Sequence, residues 1–271
     1  MRVGVYIDGF NLYYGGRAVV GRSASGWRWL DLRQLSERLL NRRVDWLGRG
    51  AAIERIVYCT AFIDGATNPS GRLVQDAYVA ALRQQGSFDL LEEGTYVTRV
   101  KVGPLATKGP RGRPVLATSQ WPVMVKDSAG GDVPDARFLV SYQHWEEKGS
   151  DVNVASHLLV DVLDGVVDGA IVVSNDSDLR YPVQEARRRV PVGTVNPGQG
   201  YLAGDLRGRP TDGVGGALVV QARSSRLHLL PTPGSGWHHR QAATLVGPAY
   251  VATVGHLRNS YKPLGEGVAR R

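Results

Sequence analysis

The sequence predicts an α/β fold built around a mainly parallel β-sheet. Short apolar runs rich in β-branched residues, such as VGVYI at 3–7 and GAIVVS at 169–174, have the length and composition of buried strands. Between such runs lie longer stretches in which apolar residues recur at helical spacing. Alternating strands and helices with short connections are typical of βα units, whose crossovers are almost always right-handed. We therefore expect one main domain with helices packed against the sheet.

The individual elements follow from the same patterns along the chain. Strands are predicted at residues 3–7, 53–63, 95–102, 169–174 and 190–195. Helices are predicted at residues 31–43, 70–86, 151–165 and 179–189. If the strands take the common order 3-2-1-4-5, strands 1 and 4 are neighbours at the point where the strand order reverses.

Two regions depart from this alternation. Residues 103–145 contain Gly-Pro, Gly-Arg-Pro and Gly-Gly sequences, which indicate an inserted hairpin with a basic loop rather than a helix. From about residue 200 onward, Gly, Pro and basic residues are mixed with only short apolar runs. We therefore expect a domain at 1–200, followed by an irregular and partly disordered extension at 201–271.

The overall charge and the cysteine content restrict the function classes. The chain has 33 Lys and Arg against 25 Asp and Glu, a formal net charge of +8, so its surface should attract polyanions such as nucleic acid. The single cysteine, Cys59, excludes an intramolecular disulfide framework and a zinc site built on several thiolates. No apolar run approaches the roughly 18 residues of a membrane span, and the N-terminus lacks the apolar core of a signal peptide. We expect a cytoplasmic protein with no membrane partner.

Acidic residues follow the strands that are predicted to be neighbours. Asp8 ends the first strand, Asp176 and Asp178 follow the fourth, and Asp151 begins a helix. Each acid also has a structural interpretation, because Asp is favoured at turns and at helix N-caps. Several carboxylates that meet at one sheet edge repel each other, however, and a cation usually neutralises such a cluster. Hard oxygen ligands without His or Cys favour Mg²⁺ or Mn²⁺.

Three segments of the sequence resemble the motifs of a known family. VYIDGFNLYYG begins at residue 5, EKGSDVNVASHLL at residue 147 and VVSNDSDLRYPV at residue 172. Together, in this order and over roughly residues 1–200, they resemble the NYN domain, also called the LabA-like or DUF88 group, of the PIN-like nuclease superfamily. The resemblance implies a PIN-like, Rossmann-like three-layer sandwich and metal-dependent ribonuclease activity.

The resemblance also implies the site residues. Carried over position by position, it makes Asp8, Asp151, Asp176 and Asp178 the catalytic and metal-binding acids, with Asn11 as a polar helper and Ser174 and Asn175 as the loop beside the substrate. The family usually has Gly where this chain has Asn175, a difference that is expected to alter the loop and leave the acids in place. Glu147 and Asp161 are weaker candidates for the same site.

The expected chemistry is hydrolysis of RNA. One bound Mg²⁺ or Mn²⁺ ion, or a pair, would bind the scissile phosphate, lower the pKa of the attacking water and stabilise the leaving oxygen. Basic loop residues Lys108, Arg111 and Arg113, with Trp121 nearby, suit a single-stranded RNA partner, although a solvated surface loop would have the same composition. Tyr13 and Arg17 could contact substrate or simply pack against a helix. Homodimerisation is left open.

Two other function classes compete with the ribonuclease. The first is a non-catalytic nucleic-acid-binding or regulatory module, which would bind RNA without cleaving it. The second is an aspartyl-phosphate phosphatase. That chemistry usually requires a second acid two residues after the first, where this chain has Phe10.

Overall fold

A computed structural model describes residues 1–21, 29–117, 124–209, 211–215 and 217–221. The chain divides into two compact units. The first unit comprises Met1–Thr95 and Lys148–Arg271, and the second comprises Tyr96–Glu147. The second unit is therefore an insertion into the first.

The described strands and helices follow one another in a largely alternating order. The strands are β1 (Arg2–Asp8), β2 (Ala52–Ala61), β3 (Leu90–Pro104), β4 (Ala106–Lys108), β5 (Pro114–Leu116), β6 (Leu139–Lys148), β7 (Gly169–Val173), β8 (Val192–Asn196) and β9 (Ala217–Gln221). The helices are α1 (Gly9–Val20), α2 (Leu32–Leu40), α3 (Val44–Leu47), α4 (Pro69–Gln84), α5 (Ser150–Leu163), α6 (Arg180–Arg187) and α7 (Gly204–Arg207).

The first unit is an α/β domain with a parallel sheet in the order β3-β2-β1-β7-β8-β9. The strands therefore take the expected order 3-2-1-4-5, although the residues of β3 that pair with β2 are 90–94 and precede the third strand predicted at 95–102. After β1 the chain builds the sheet toward β3, and after the insertion it builds toward β9 on the other side. The strand order reverses between β1 and β7, which is where open α/β sheets bind ligands.

Both faces of this sheet are buried, as is usual for parallel strands. On one face Val3, Val5 and Ile7 of β1 pack with apolar residues of α1 and α2. On the other face Tyr6 packs with Val154 of α5 and apolar residues of α6. The alternating direction of side chains along β1 thus supplies two apolar layers from one strand.

Helix α1 was not predicted, and its sequence explains why. GFNLYYGGRAVV contains three glycines and several aromatic or β-branched residues, all of which have low helix propensity. Tertiary contacts overcome that disadvantage: a Cβ atom at Gly15 would lie 2.8 Å from the backbone of Pro197. The helix packs closely against the loop after β8 only because Gly15 has no side chain.

The C-terminal extension differs from its prediction over its first part. Residues 204–207 form α7, and Ala217–Gln221 form β9, which pairs in parallel with β8. The prediction of an irregular segment is therefore wrong for these residues. A strand of five residues at a sheet edge is stabilised by hydrogen bonds to its neighbour, which a local pattern does not reveal. Residues 222–271, including the predicted disorder, lie outside the described residues.

The second unit contains the predicted hairpin. Strands β4 and β5 pair antiparallel, with Ala106 opposite Leu116. The turn between them includes Arg111, whose φ of 57° lies in the left-handed region. Strand β3 starts at Leu90, earlier than predicted, and continues into this unit, where β6 is its neighbour in the sheet.

Candidate functional site

The carboxylate of Asp8 is buried at the carboxyl end of β1, with 2% of the residue exposed. Asn11 donates to it twice, from its backbone N to Oδ1 at 2.9 Å and from Nδ2 to Oδ2 at 2.6 Å. The first bond makes Asp8 the N-cap of α1. The structural role considered for Asp8 was that of a turn former, whereas the structure makes it a helix N-cap, and this bond also fixes the direction of the carboxylate.

Ser174 connects Asp8 to the loop after β7. Pairing of Ile7 with Val173 places Asp8 and Ser174 at the same edge of neighbouring parallel strands. The fully buried Ser174 hydroxyl donates to Asp8 Oδ2 at 2.9 Å and accepts from the backbone N of Asp176 at 3.1 Å. A single hydroxyl therefore joins both acids. We call Asp8, Asn11, Ser174 and Asp176 the carboxylate network.

Asp176 and Asp178 lie on the 3₁₀ turn at Ser177–Leu179 that leads into α6. Asp176 Oδ1 accepts from the backbone N of Asp178 at 3.0 Å, so Asp176 caps this turn. Asp176 is half-buried and Asp178 is exposed. The carboxylate of Asp178 is thus on the solvent side of the loop that holds the network.

Asn175 stands where the resemblance predicts glycine, and its side chain makes contacts of its own. Its backbone N donates to Asn11 Oδ1 at 3.3 Å. Its side-chain amide bonds the chain after β8 twice, because Nδ2 donates to the carbonyl of Tyr201 and Oδ1 accepts from the backbone N of Ala203. Glycine could make neither side-chain bond. The substitution therefore ties residues 201–203 to the carboxylate network.

Asp151 is half-buried in the first turn of α5. The N-cap of this helix is Gly149, whose φ of 95° favours glycine, so the alternative role of Asp151 as the cap is wrong. An acid in the first turn is nevertheless stabilised by the helix dipole. The position of Asp151 in the first turn of α5 is thus a partial structural explanation for an acidic side chain there.

The residues that the structure describes contain no group of three or more His, Cys, Asp and Glu side chains placed to hold a metal ion. The four predicted acids are therefore not gathered as such a group. The carboxylate network nevertheless has the chemistry that Mg²⁺ uses, since Mg²⁺ often binds through one or two carboxylates and retains several waters. Hydrogen bonds that orient a ligating carboxylate, like those from Asn11 and Ser174 to Asp8, are usual around metal ligands.

Of the two weaker candidates, one belongs to the first unit and one to the second. Asp161 is buried near the end of α5, where Tyr6 Oη donates to it at 2.9 Å and Arg55 forms an ion pair with it at 2.8 Å. Burial and the neighbouring Asp161 carboxylate raise the pKa of the Tyr6 hydroxyl, so Tyr6 stays a donor. Asp161 thus stabilises the packing of α5 on the sheet. Glu147 belongs to the second unit.

The predicted substrate contacts fall in both units. Tyr13 is exposed on α1, which argues against packing as its only role, and Arg17 is half-buried on the same helix. Arg111 and Arg113 are exposed in the second unit. The side chain of Lys108 and the whole of Trp121 lie outside the described residues. No pattern in the sequence indicated Tyr201, whose position depends on the contact with Asn175.

The fold and this site define an α/β protein with a buried acidic network at the switch point of a parallel sheet. Among the described residues, no helix is both long and apolar enough to cross a membrane.

No family model matches the chain. The chain is 30% identical over 245 residues to 6-hydroxy-3-succinoylpyridine 3-monooxygenase HspA of Pseudomonas putida, and the match covers 84% of this chain and 67% of that protein. The chain belongs to the same family as this protein.

One solved structure is also similar. It is a protein of unknown function, VPA0982, from Vibrio parahaemolyticus, with 16% identity and a TM-score of 0.37. The similarity covers 81% of this chain and 91% of that chain.

Proposed function

We propose that this chain is a metal-dependent endoribonuclease with a PIN-like domain of the NYN group, acting on RNA in the cytoplasm. One observation carries the proposal. The Ser174 hydroxyl joins the Asp8 carboxylate to Asp176 at the point where the strand order reverses. The described donors to the buried Asp8 carboxylate, Asn11 and Ser174, are neutral, and such donors leave on the carboxylate a negative charge that a divalent cation would neutralise.

The residues of the network have distinct tasks in this proposal. Asp8 and Asp176 would hold Mg²⁺ or Mn²⁺, whereas the predicted ligands Asp151 and Asp178 are not gathered with them into one metal-binding group among the described residues. The ion would supply a water of lowered pKa and charge stabilisation for the leaving oxygen. Asn11 and Ser174 hold the Asp8 carboxylate in one direction. No side-chain nucleophile is required.

The similarity to HspA supports a second candidate, an oxygenation reaction on a pyridine compound. Monooxygenation needs a source of electrons, commonly the reduced ring of a bound dinucleotide cofactor, and the pyrophosphate of such a cofactor commonly binds at the N-terminus of the first helix. In this chain the Asp8 carboxylate already accepts from the backbone N of Asn11 in that turn. A negative charge at this place repels a pyrophosphate, so we favour the hydrolase.

Purified protein with labelled single-stranded RNA tests the proposal. We expect cleavage that requires Mn²⁺ or Mg²⁺ and stops when the metal is chelated. Asp176→Asn should lower the rate by more than about 100-fold, because even the partners that orient a metal ligand are worth about 10- to 100-fold. Glu37→Gln, which changes an exposed acid on α2, is the matched control and should cleave normally.

Two results would replace the proposal. RNA binding without cleavage under every metal would indicate the non-catalytic module. Oxygen uptake that depends on 6-hydroxy-3-succinoylpyridine and a reduced nicotinamide cofactor, in protein that leaves RNA intact, would indicate the oxygenase.

A further inference from the structure

We propose that exposed aromatic side chains around the carboxylate network form a stacking surface for the unpaired bases of single-stranded RNA. This inference rests on the proposed function and names the form of RNA that the site accepts. The aromatic rim, as we call it, consists of Phe10, Tyr13, Tyr14, Tyr181 and Tyr201.

Three members of the rim lie on α1, directly after Asp8. Phe10 and Tyr14 have ring centroids 4.5 Å apart, and Tyr13 and Tyr14 have centroids 5.1 Å apart. All three side chains are exposed. The rings therefore restrain each other through mutual contact while part of their surface remains open to solvent, which lowers the entropy that a stacked base would have to overcome.

Tyr201 is the most exposed aromatic residue of the rim, at 96%. Its backbone is nevertheless held in place. Asn175 Nδ2 donates to the carbonyl of Tyr201, and Asn196 Nδ2 donates to the carbonyl of the preceding Gly200 at 2.8 Å. Because Asn175 lies between Ser174 and Asp176, the same loop that carries Asp176 and Asp178 also holds the backbone that bears this ring.

Tyr181 adds a third side to the rim. It lies in the first turn of α6, three residues after Asp178, and is 68% exposed. In the described part of the first unit, every large aromatic residue in the exposed class belongs to the rim. Exposed aromatics scattered over a surface need no explanation, but their concentration beside one polar site indicates binding.

The charges beside the rings favour a nucleic acid over a small neutral ring. Arg17 shares the α1 surface with the three aromatic residues, and Arg180 directly precedes Tyr181. Positive side chains next to aromatic rings match the alternating phosphates and bases of a single strand. In a duplex the base faces are stacked on each other and cannot reach the rings. Rings on three separate elements also offer more surface than one pyridine ring covers.

Binding measured in the presence of a chelator tests the inference without cleavage. Fluorescence anisotropy would follow a short labelled single-stranded RNA, the same RNA annealed to its complement, and 6-hydroxy-3-succinoylpyridine as a competitor. Tyr14→Ala and Tyr201→Ala should each weaken single-strand binding by about 5- to 150-fold, whereas Tyr201→Phe should retain it. Tyr142→Ala removes an exposed aromatic ring from the second unit and should have no effect.

The outcomes separate this inference from the proposed function. Three results would contradict the inference: equal affinity for duplex and single-stranded RNA, an affinity that Tyr201→Ala leaves unchanged, or equal losses of affinity in Tyr201→Ala and Tyr142→Ala. Displacement of the RNA by the pyridine compound at low concentration would assign the rim to a small ligand and would also overturn it. Ring-dependent binding with no cleavage in Mn²⁺ would keep the rim and reject the nuclease. Cleavage in Mn²⁺, together with RNA binding that the ring substitutions leave unchanged, would support the nuclease and reject the aromatic rim.

Discussion

Ser174→Ala is the substitution that most directly tests how the carboxylate network is held. It removes a buried hydroxyl that donates to Asp8 and accepts from the backbone of Asp176. A hydrogen bond to a charged group contributes about 1.5 to 3 kcal/mol and a neutral one about 1 kcal/mol. We therefore expect a loss of about 2.5 to 4 kcal/mol in the free energy of unfolding, measured by urea denaturation at neutral pH.

A double-mutant cycle with Asp8→Asn isolates the bond between the two side chains. The coupling free energy between Ser174→Ala and Asp8→Asn should be at least about 1 kcal/mol, since residues in one network are not additive. Ser156→Ala is the control, because this exposed serine bonds only to the carbonyl of Val152 in its own helix. A coupling below about 0.5 kcal/mol would mean that Ser174 does not position Asp8, and the reasoning would fail.

Three further predictions concern other parts of the first unit. Asn175→Gly should speed amide hydrogen exchange at Ala203, because the acceptor for that N–H is lost; unchanged exchange would contradict the contact. Asp161→Ala should lower the free energy of unfolding by about 3 kcal/mol, as it leaves Arg55 without its buried partner; a change below about 1 kcal/mol would contradict a structural role. Burial raises the pKa of the Cys59 thiol, so a thiol reagent should label Cys59 only when denaturant unfolds the protein.

Local patterns predicted most of the sheet correctly. The buried strands of a parallel sheet are continuous apolar runs, which identify β1 and β7 without reference to the rest of the chain. Helices α4 and α5 likewise have one apolar face, and their predicted positions agree with the structure to within a few residues. Local patterns did not predict elements that depend on contacts with residues distant in the sequence. Helix α1 is such an element, because its glycine-rich sequence is stabilised by packing against Pro197.

The candidate site shows the same division. Asp8 and Asp176 were recognisable because each follows a strand, and parallel neighbours bring their carboxyl ends together. The position of Tyr201 was not recognisable, since it depends on two hydrogen bonds across the fold, one donated by Asn175 Nδ2 to the Tyr201 carbonyl and one accepted by Asn175 Oδ1 from the backbone N of Ala203. Such long-range contacts leave no periodic signal in the chain.

The sequence by itself therefore determined the class of fold and which acids stand at the ends of strands, because these depend on the spacing of apolar residues and on which residues end strands. Only the tertiary structure decided that the Ser174 hydroxyl bonds both the carboxylate of Asp8 and the backbone of Asp176. The physical reason is that the direction of a polar side chain is set by the hydrogen-bond partners it meets after folding, and those partners lie far away in the sequence.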